Sequence, residues 1–321
     1  MIHTSQTAIS SKTKSIVFFG TEEFSCLTLA ALIENGYTIA AVVTKPDSKQ
    51  GRGQKITKPH VKLLAEAHGI PVWQPAKLTD ITKDVRALDS PAGVLVSYGK
   101  IIPQSIIELF TPGIINVHPS LLPHYRGPSP IETAILNGDQ ETGVSIMQLS
   151  AAMDAGPVYA QTSHQLQGDE ASEELYKTLG KQGVTLLLEV LPNILTDTIA
   201  PQPQDDTQAT YCQLIKKTDG VIDWTSPARS IERQIRAYQE WPKSRTQLGS
   251  IDMIISAAHV VQSAGQSPIV GSLTIDPSVP SLSVQTGSGQ LVLDAVKPIG
   301  KKEMPIQAFL SGYASQLKST Q

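Results

Sequence analysis

Residues 15–197 alternate short apolar runs with amphipathic segments, and this alternation constrains the fold more than any other feature of the chain. The runs that predict strands are Ser15–Phe19, Thr38–Val43, Pro71–Trp73, Ala92–Val96, Gly113–Val117 and Gly143–Leu149. The segments that predict helices are Glu23–Asn35, Pro59–His68, Pro130–Leu136 and Ala171–Leu195. Strands that alternate with helices predict a mostly parallel sheet covered on both faces. The first part of the chain is therefore predicted to be an α/β domain.

The alternation stops at residues 198–210, whose sequence TIAPQPQDDTQAT is polar and without periodicity, so we interpret it as an interdomain linker. One predicted helix follows, Pro227–Tyr238. Five short β-like runs come after it, at 244–248, 251–257, 268–275, 281–285 and 290–294. Their spacing is typical of a small barrel or sandwich. The predicted domains are thus residues 14–197 and 211–321, after a disordered start at 1–13.

The net charge of −3 is unevenly divided along the 321 residues. Residues 1–208 contain 15 Lys and Arg against 21 Asp and Glu, a net of −6, whereas residues 209–321 contain 11 against 8, a net of +3. This asymmetry favours an anionic partner for the second part. No apolar run reaches the roughly 18 residues of a membrane span, and the first fifteen residues lack the apolar centre of a secretory signal. We therefore expect a cytoplasmic protein without membrane contact.

Several common kinds of site are missing from the sequence. The first predicted strand-to-helix turn, Gly20–Phe24, matches neither the dinucleotide fingerprint nor a phosphate-binding loop. The two cysteines, Cys26 and Cys212, form no C-x-x-C pair, and the seven histidines show no metal-ligand spacing. A G-x-S-x-G nucleophile turn is also missing. We expect no metal and no disulfide framework.

The segment Gly113–Gly127, GIINVHPSLLPHYRG, places polar residues directly after a predicted buried strand. Strand alternation puts Asn116 and His118 on one face, at the strand end where open α/β sheets bind ligands. An amide donor beside an imidazole can stabilise an oxyanion while the imidazole transfers a proton. A capped strand end with a structural histidine fits the local sequence equally well.

Asp154 is the carboxylate that could support His118. It follows the predicted strand Gly143–Leu149, which places it in a loop near the same edge of the sheet. Judged alone, an aspartate in such a loop is more often a turn residue than a catalytic group.

The stretch Lys45–Lys62 carries a run of positive charge. Its basic residues are Lys45, Lys49, Arg52, Lys55, Lys58 and Lys62, against a single acid. Pro46, Gly51 and Gly53 predict a mobile loop over Asp47–Thr57. Such a loop suits contact with a phosphate backbone, although a solvated run of charge would look the same.

These segments together resemble the 10-formyltetrahydrofolate-dependent formyltransferases. Asn116–Pro123, followed by Tyr125–Gly127, resembles the signature of that family. Asp154-Ala155-Gly156, 36 residues after His118, matches the aspartate of its Asn/His/Asp catalytic set. The resemblance departs at Pro119, where many members carry alanine, and at Pro157, where others carry aspartate.

Other segments resemble the branch of the family that acts on methionyl-tRNA. They are Gly20–Phe24, Arg52-Gly53, Ser97-Tyr98-Gly99, Pro130-Ile131 and Gly300–Met304. The resemblance covers about residues 14–312, and it implies a Rossmann-like domain followed by a small OB-like β-barrel domain.

The resemblance also implies roles for individual residues. Asn116, His118 and Asp154 would be catalytic, with 10-formyltetrahydrofolate as the formyl donor and no metal. The implied folate contacts are Ser97, Tyr98, Gly99, Ser120, Leu121, Leu122 and Pro123. Initiator methionyl-tRNA would be the acceptor, held by Lys49, Arg52 and Lys55, and we expect the enzyme to be a monomer.

Three other functions fit part of the pattern. A sugar-nucleotide N-formyltransferase would use the same catalytic set and a similar second domain, but it would not need the basic loop. A formyltetrahydrofolate hydrolase would leave both the loop and the second domain without a role. A noncatalytic RNA-binding module would not need Asn116, His118 and Asp154 together.

Overall fold

The structure is a computed structural model that describes residues 14–50, 55–261, 269–276 and 278–317, without the side chains of Gln50 and Lys55. The predicted disordered start at 1–13 and Arg52 lie outside the described residues. The chain divides into two compact units. The first takes its described residues from Met1–Pro128, Gly143–His164 and Lys177–Tyr211, and the second from Ser129–Thr142, Gln165–Tyr176 and Cys212–Gln321.

A seven-stranded sheet organises the first half of the chain. The strands up to residue 165 are β1 (Ile16–Gly20), β2 (Ile39–Val43), β3 (Ser48–Gln50), β4 (Lys55–Thr57), β5 (Val72–Trp73), β6 (Ala92–Val96), β7 (Ile114–His118), β8 (Glu141–Gln148) and β9 (Val158–Gln165). The order across the sheet is β5-β2-β1-β6-β7-β8-β9. The pairs β2–β5, β1–β2, β1–β6 and β6–β7 are parallel, and β7–β8 is antiparallel. The predicted, mostly parallel sheet is confirmed.

The strand order reverses direction at β1, because β2 and β5 lie on one side of it and β6 and β7 on the other. Open α/β sheets bind their ligands beyond the carboxyl ends of the strands at such a switch point. All residues of β1 and β7 are buried, as expected for strands covered on both faces. The sheet therefore presents the ends of β1, β6 and β7 as the natural place for a site.

Helices follow most of these strands. They are α1 (Glu23–Glu34), α2 (His60–Ala67), α3 (Thr82–Arg86), α4 (Gln104–Ile107), α5 (Pro130–Asn137) and α6 (Ser172–Leu195). The start and end of α5 follow from its sequence, because Pro130 stands at the first position and Gly138 ends the helix with a φ of 68°. The long predicted helix 171–195 corresponds to α6. The short helices α3 and α4 were not predicted.

The second unit contains a six-stranded antiparallel sheet. Its strands are β10 (Ser244–Leu248), β11 (Ile251–Val261), β12 (Leu273–Asp276), β13 (Ser281–Gln285), β14 (Gln290–Pro298) and β15 (Met304–Pro305), with the helices α7 (Ala228–Ala237) and α8 (Ile306–Leu317). The strand order is β10-β11-β14-β13-β12, and β15 pairs with β14. Met253, Leu282, Leu293 and Phe309 are almost fully buried in the core of this unit. The predicted fold class, an α/β domain and a separate small β domain, is confirmed.

The prediction of a mobile loop over Asp47–Thr57 is wrong for the two ends of this segment that the structure describes, because both are strands. β3 and β4 pair as an antiparallel ladder, with Ser48 opposite Thr57 and Lys49 opposite Ile56. β-branched residues such as Ile56 and Thr57 favour this extended pairing, which the glycine and lysine content of the segment obscured. The two described ends of the basic segment are therefore paired strands.

None of the helices in the described part of the chain has the length and apolar character needed to cross a membrane.

Candidate active site

Asn116 and His118 lie at the carboxyl end of β7, and each is only 5% exposed. Their backbone is held on the β8 side, where Asn116 is opposite Met147 and His118 is opposite Ser145. β6 lies on the other side of β7, with Leu95 opposite Asn116. Both side chains therefore extend from a segment whose position the sheet fixes.

The loop between β8 and β9 brings Asp154 to the same place. Asp154 Oδ1 lies 3.5 Å from Asn116 Nδ2, and Asp154 Oδ2 lies 3.9 Å from His118 Nδ1. The Gly127 N–H donates a 2.8 Å hydrogen bond to Oδ2. Asp154 has a φ of 47°, a left-handed conformation that Asp adopts more readily than most residues. The three residues predicted from the sequence thus form one cluster.

The hydrogen bonds of His118 define the role of each ring nitrogen. Nε2 lies 3.0 Å from the Tyr125 carbonyl oxygen. A carbonyl oxygen only accepts, so Nε2 must carry a hydrogen. The remaining nitrogen, Nδ1, is the one that faces Asp154, and it is available for proton transfer.

Gly156 keeps the Asp154 loop close to the sheet. A Cβ at this position would overlap the Gln148 carbonyl oxygen at the end of β8, so only glycine fits here. The close approach explains why a glycine follows Asp154 by two residues.

The loop after β7 is fastened by a buried serine. Ser145 Oγ donates to the Ser120 carbonyl at 2.6 Å and accepts from the Leu122 N–H at 3.0 Å. Gln161 Nε2 donates both to Ser145 Oγ and to the Leu122 carbonyl, each at 2.8 Å. Ser120 uses its own hydroxyl to donate to the His124 carbonyl at 2.6 Å. The predicted folate contacts Ser120–Pro123 therefore lie in an ordered loop.

Ser97–Gly99 follows β6, at the switch point of the sheet. Ser97 and Gly99 have φ values of 46° and 70°, and the Tyr98 carbonyl accepts a 2.9 Å hydrogen bond from Thr21 Oγ1. The Tyr98 ring is 1% exposed and packs edge-on against Phe19, and burial raises its pKa to about 12. Any contact of Tyr98 with a ligand must therefore use its backbone.

The basic segment is partly neutralised. Lys62 Nζ lies 2.9 Å from Asp47 Oδ1, and Lys58 Nζ lies 2.8 Å from Glu66 Oε2. Hydrogen bonds from Gln74 and Lys62 hold the pKa of the Asp47 carboxyl below its ordinary value. Lys49 is exposed, whereas Arg52 and the Lys55 side chain lie outside the described part of the chain. Of the four basic residues in this segment whose side chains the structure describes, Lys58 and Lys62 are thus engaged in ion pairs.

Sequence reasoning missed three polar residues that support the cluster: Ser145, Gln161 and Gln204. Each acts on backbone groups far away in the sequence. Gln204, in the predicted linker, donates to the carbonyls of Asp154 and Gly156 at 2.8 Å and 2.6 Å. No local motif marks such residues.

The arrangement can stabilise negative charge and move a proton. Asn116 supplies amide N–H donors and His118 supplies Nδ1, both beside the Asp154 carboxylate. These groups suit acyl transfer through a tetrahedral intermediate. Among the described residues, no group of three or more His, Cys, Asp or Glu side chains is placed to hold a metal ion.

Comparison with known proteins agrees with this chemistry. The Formyl transferase family model matches residues 13–191, and the model for the Formyl transferase C-terminal domain matches residues 214–314. The chain is 42% identical over 302 residues to the methionyl-tRNA formyltransferase of Chloroflexus aggregans, covering 92% of this chain and 96% of the relative. It is 39% identical over 301 residues to that of Methylococcus capsulatus, covering 93% and 97%.

Two solved structures share the fold at low sequence identity. The N-formyltransferase of Helicobacter canadensis, in complex with folinic acid and dTDP-3-aminofucose, matches with a TM-score of 0.66 and 17% identity. That match covers 91% of this chain and 100% of the other. HypX of Aquifex aeolicus, in complex with tetrahydrofolic acid, matches with a TM-score of 0.63 and 17% identity, covering 96% of this chain and 48% of the longer one.

The fold, the cluster at the end of β7 and the two family models define an enzyme of the formyl-transfer class. At 37–42% identity over nearly its whole length, the chain belongs to the formyl transferase family, and within it to the methionyl-tRNA formyltransferases.

Proposed function

We propose that this enzyme transfers the formyl group of 10-formyltetrahydrofolate to the α-amino group of methionine on initiator tRNA. The observation that carries the proposal is the contact of Asp154 with both Asn116 and His118 at the end of β7. The similarity to a methionyl-tRNA formyltransferase over 92% of the chain also supports the proposal.

Asn116 and His118 stabilise the oxyanion. When the neutral amine attacks the formyl carbon, a C–N bond forms and the carbonyl oxygen takes up negative charge. Asn116 Nδ2 donates one N–H, and the imidazolium donates from Nδ1, because its Nε2–H is already bonded to the Tyr125 carbonyl. Fixed donors aimed at developing charge lower the barrier without reorganisation.

Asp154 stabilises the imidazolium and relays the proton. As the intermediate collapses, the bond between the formyl carbon and N10 breaks, and its electron pair stays on N10. The attacking amine loses a proton and N10 gains one, so charge is balanced. Asp154 lies 3.9 Å from His118 Nδ1 and next to Asn116, close enough to support this transfer.

The substrates occupy different surfaces in this proposal. The folate lies against Ser97–Gly99 and Ser120–Pro123, which follow the adjacent strands β6 and β7, with backbone groups contacting the pterin and leucine side chains packing on its ring. Lys49, Arg52 and Lys55 hold the acceptor arm of the tRNA, assisted by the net +3 charge of residues 209–321. The enzyme acts as a cytoplasmic monomer.

The test is transfer of labelled formyl from 10-formyltetrahydrofolate to charged initiator methionyl-tRNA, with elongator methionyl-tRNA and a UDP-aminosugar run in parallel. Label on the initiator tRNA alone supports the proposal. Label on the sugar would retain the Asn/His/Asp chemistry and reject the tRNA assignment. Consumption of the donor with label on neither acceptor would indicate a hydrolase.

A further inference from the structure

Gln204 lies between the two segments that the family models match, residues 13–191 and 214–314. It belongs to the first unit together with Asp154 and Arg126. Its side chain is half-buried and uses both ends of its amide. This residue contacts the candidate active site without being part of it.

The NH2 end of the amide holds the Asp154 loop. Gln204 Nε2 donates to the Asp154 carbonyl at 2.8 Å and to the Gly156 carbonyl at 2.6 Å. Asp154 adopts a left-handed φ of 47°, a conformation that needs support from its surroundings. The amide supplies that support on the backbone atoms that bracket the turn.

The oxygen end of the amide holds Arg126. Gln204 Oε1 accepts from Arg126 Nε at 3.0 Å and from Nη2 at 2.9 Å, and the Arg126 residue is only 2% exposed. Asp206 Oδ1 accepts from Nη2 at 2.6 Å, and the guanidinium lies over the Tyr211 ring. The arginine is therefore fixed from several directions.

Arg126 lies in the chain between Tyr125, which contacts His118, and Gly127, which contacts Asp154. The Tyr125 carbonyl accepts from His118 Nε2 at 3.0 Å, and the Gly127 N–H donates to Asp154 Oδ2 at 2.8 Å. Gln204 thus closes a ring of contacts that runs from His118 through residues 125–127 to Asp154.

We infer that Gln204 is a positioning residue that sets the separation of His118 and Asp154 by joining Arg126 to the Asp154 loop. Its effect on the rate of catalysis rests on the proposed function, whereas its hold on the loop does not. A misplacement of about 1 Å can slow a reaction by about 100-fold, and we expect a loss of up to about that size, because Gln204 contacts the backbone of the Asp154 loop.

The experiment compares Gln204→Glu with Gln202→Glu. Glutamate at 204 has the same shape and still accepts from Arg126, but it cannot donate to the two carbonyls. Gln202 is exposed, and it pairs with Val158 through its backbone, so the same substitution there is a matched control. For each variant we would measure kcat, the KM for the formyl donor, the melting temperature, and hydrogen exchange in the peptide that contains residues 154–156.

We expect kcat of Gln204→Glu to fall about 10- to 100-fold, with the donor KM within about twofold of the wild-type value and faster exchange at 154–156. Gln202→Glu should match the wild type in all readings. Unchanged exchange at 154–156 would overturn the inference, as would a kcat within twofold of the wild-type value. If Gln204→Glu does not fold, Gln204→Met is measured in its place; it removes both the NH2 donor and the oxygen that accepts from Arg126, and the same exchange and kcat outcomes decide the inference. Failure of both variants to fold would assign a purely structural role. A wild-type enzyme without transfer activity would reject the proposed function, and the exchange reading would still decide the inference.

Discussion

The substitution Asp154→Asn tests the candidate catalytic cluster with the least change of shape. Asp154 Oδ2 accepts from the Gly127 N–H, and Oδ1 faces Asn116 Nδ2. An asparagine has only one acceptor oxygen, so in either orientation its NH2 group faces another N–H donor. The substitution also removes the negative charge 3.9 Å from His118 Nδ1.

The size of the effect follows from that distance. Two unit charges about 4 Å apart interact by about 4 kcal/mol at an effective dielectric constant near 20. The His118 and Asp154 side chains are 7% and 16% exposed, so solvent screens the pair only weakly. Each tenfold change in rate corresponds to about 1.4 kcal/mol. The charge can therefore contribute up to about a thousandfold, and we expect kcat to fall at least about 100-fold.

The assay is single-turnover transfer of labelled formyl to initiator methionyl-tRNA, together with a melting curve. Asp84→Asn, an exposed aspartate in α3, is the matched control and should retain full activity. His118→Ala should cost at least about 100-fold, and the double variant should cost little more than the worse single variant, because the two residues act as a unit. A folded Asp154→Asn enzyme with a near-normal rate would refute the assigned role.

Three further predictions concern other parts of the chain. Arg52→Ala and Lys49→Ala should each raise the KM for tRNA in the transfer assay. Each should also reduce the slope of log binding constant against log salt by about one, measured by filter binding. An unaltered KM at physiological salt would reject the phosphate contact. Burial raises the pKa of the Glu132 carboxyl, so the folded chain keeps this proton to higher pH than the unfolded chain, and stability falls as pH rises through that interval. Glu132→Gln should therefore gain melting temperature relative to the wild type as pH rises, and a constant difference would contradict this. Burial, and then the charge of Glu23, raise the pKa of the Cys26 thiol to about 11, so its alkylation by iodoacetamide, followed by mass spectrometry, should still accelerate above pH 9.

The strands of the parallel sheet were predictable because both of their faces are buried. β1, β6 and β7 are short apolar runs bounded by turn residues. The predicted limits of β6 match the observed ones, and those of β1 and β7 differ by one residue at each end. β9 was not predicted as a strand because it lies at the edge of the sheet. Its sequence, VYAQTSHQ, has an apolar run of only three residues, and exposed and half-buried residues alternate after it.

The candidate site was predictable where its residues end a strand. Asn116 and His118 follow an apolar run directly, so the sheet itself determines where they lie. The support of the site was not predictable, because Gln204 reaches backbone groups 48 and 50 residues earlier in the chain. Such contacts depend on tertiary packing and leave no periodicity in the sequence. The segment 198–210, interpreted as a linker, therefore contributes contacts that its composition did not indicate.

Ser145 gives a test of how firmly the loop after β7 is held. Its hydroxyl is fully buried and joins the Ser120 carbonyl, the Leu122 N–H and Gln161 Nε2. Ser145→Ala leaves the Leu122 N–H and the Ser120 carbonyl without this partner, and each orphaned buried group costs about 1–3 kcal/mol. We expect the free energy of unfolding in urea to fall by about 2–4 kcal/mol, whereas the exposed control Ser105→Ala should change it by less than about 0.5 kcal/mol. The donor KM should also rise, because Ser120–Pro123 would lose its fixed position. If Ser145→Ala unfolds like the control, the network makes no net contribution, and packing of the buried Leu122 side chain must hold the loop instead.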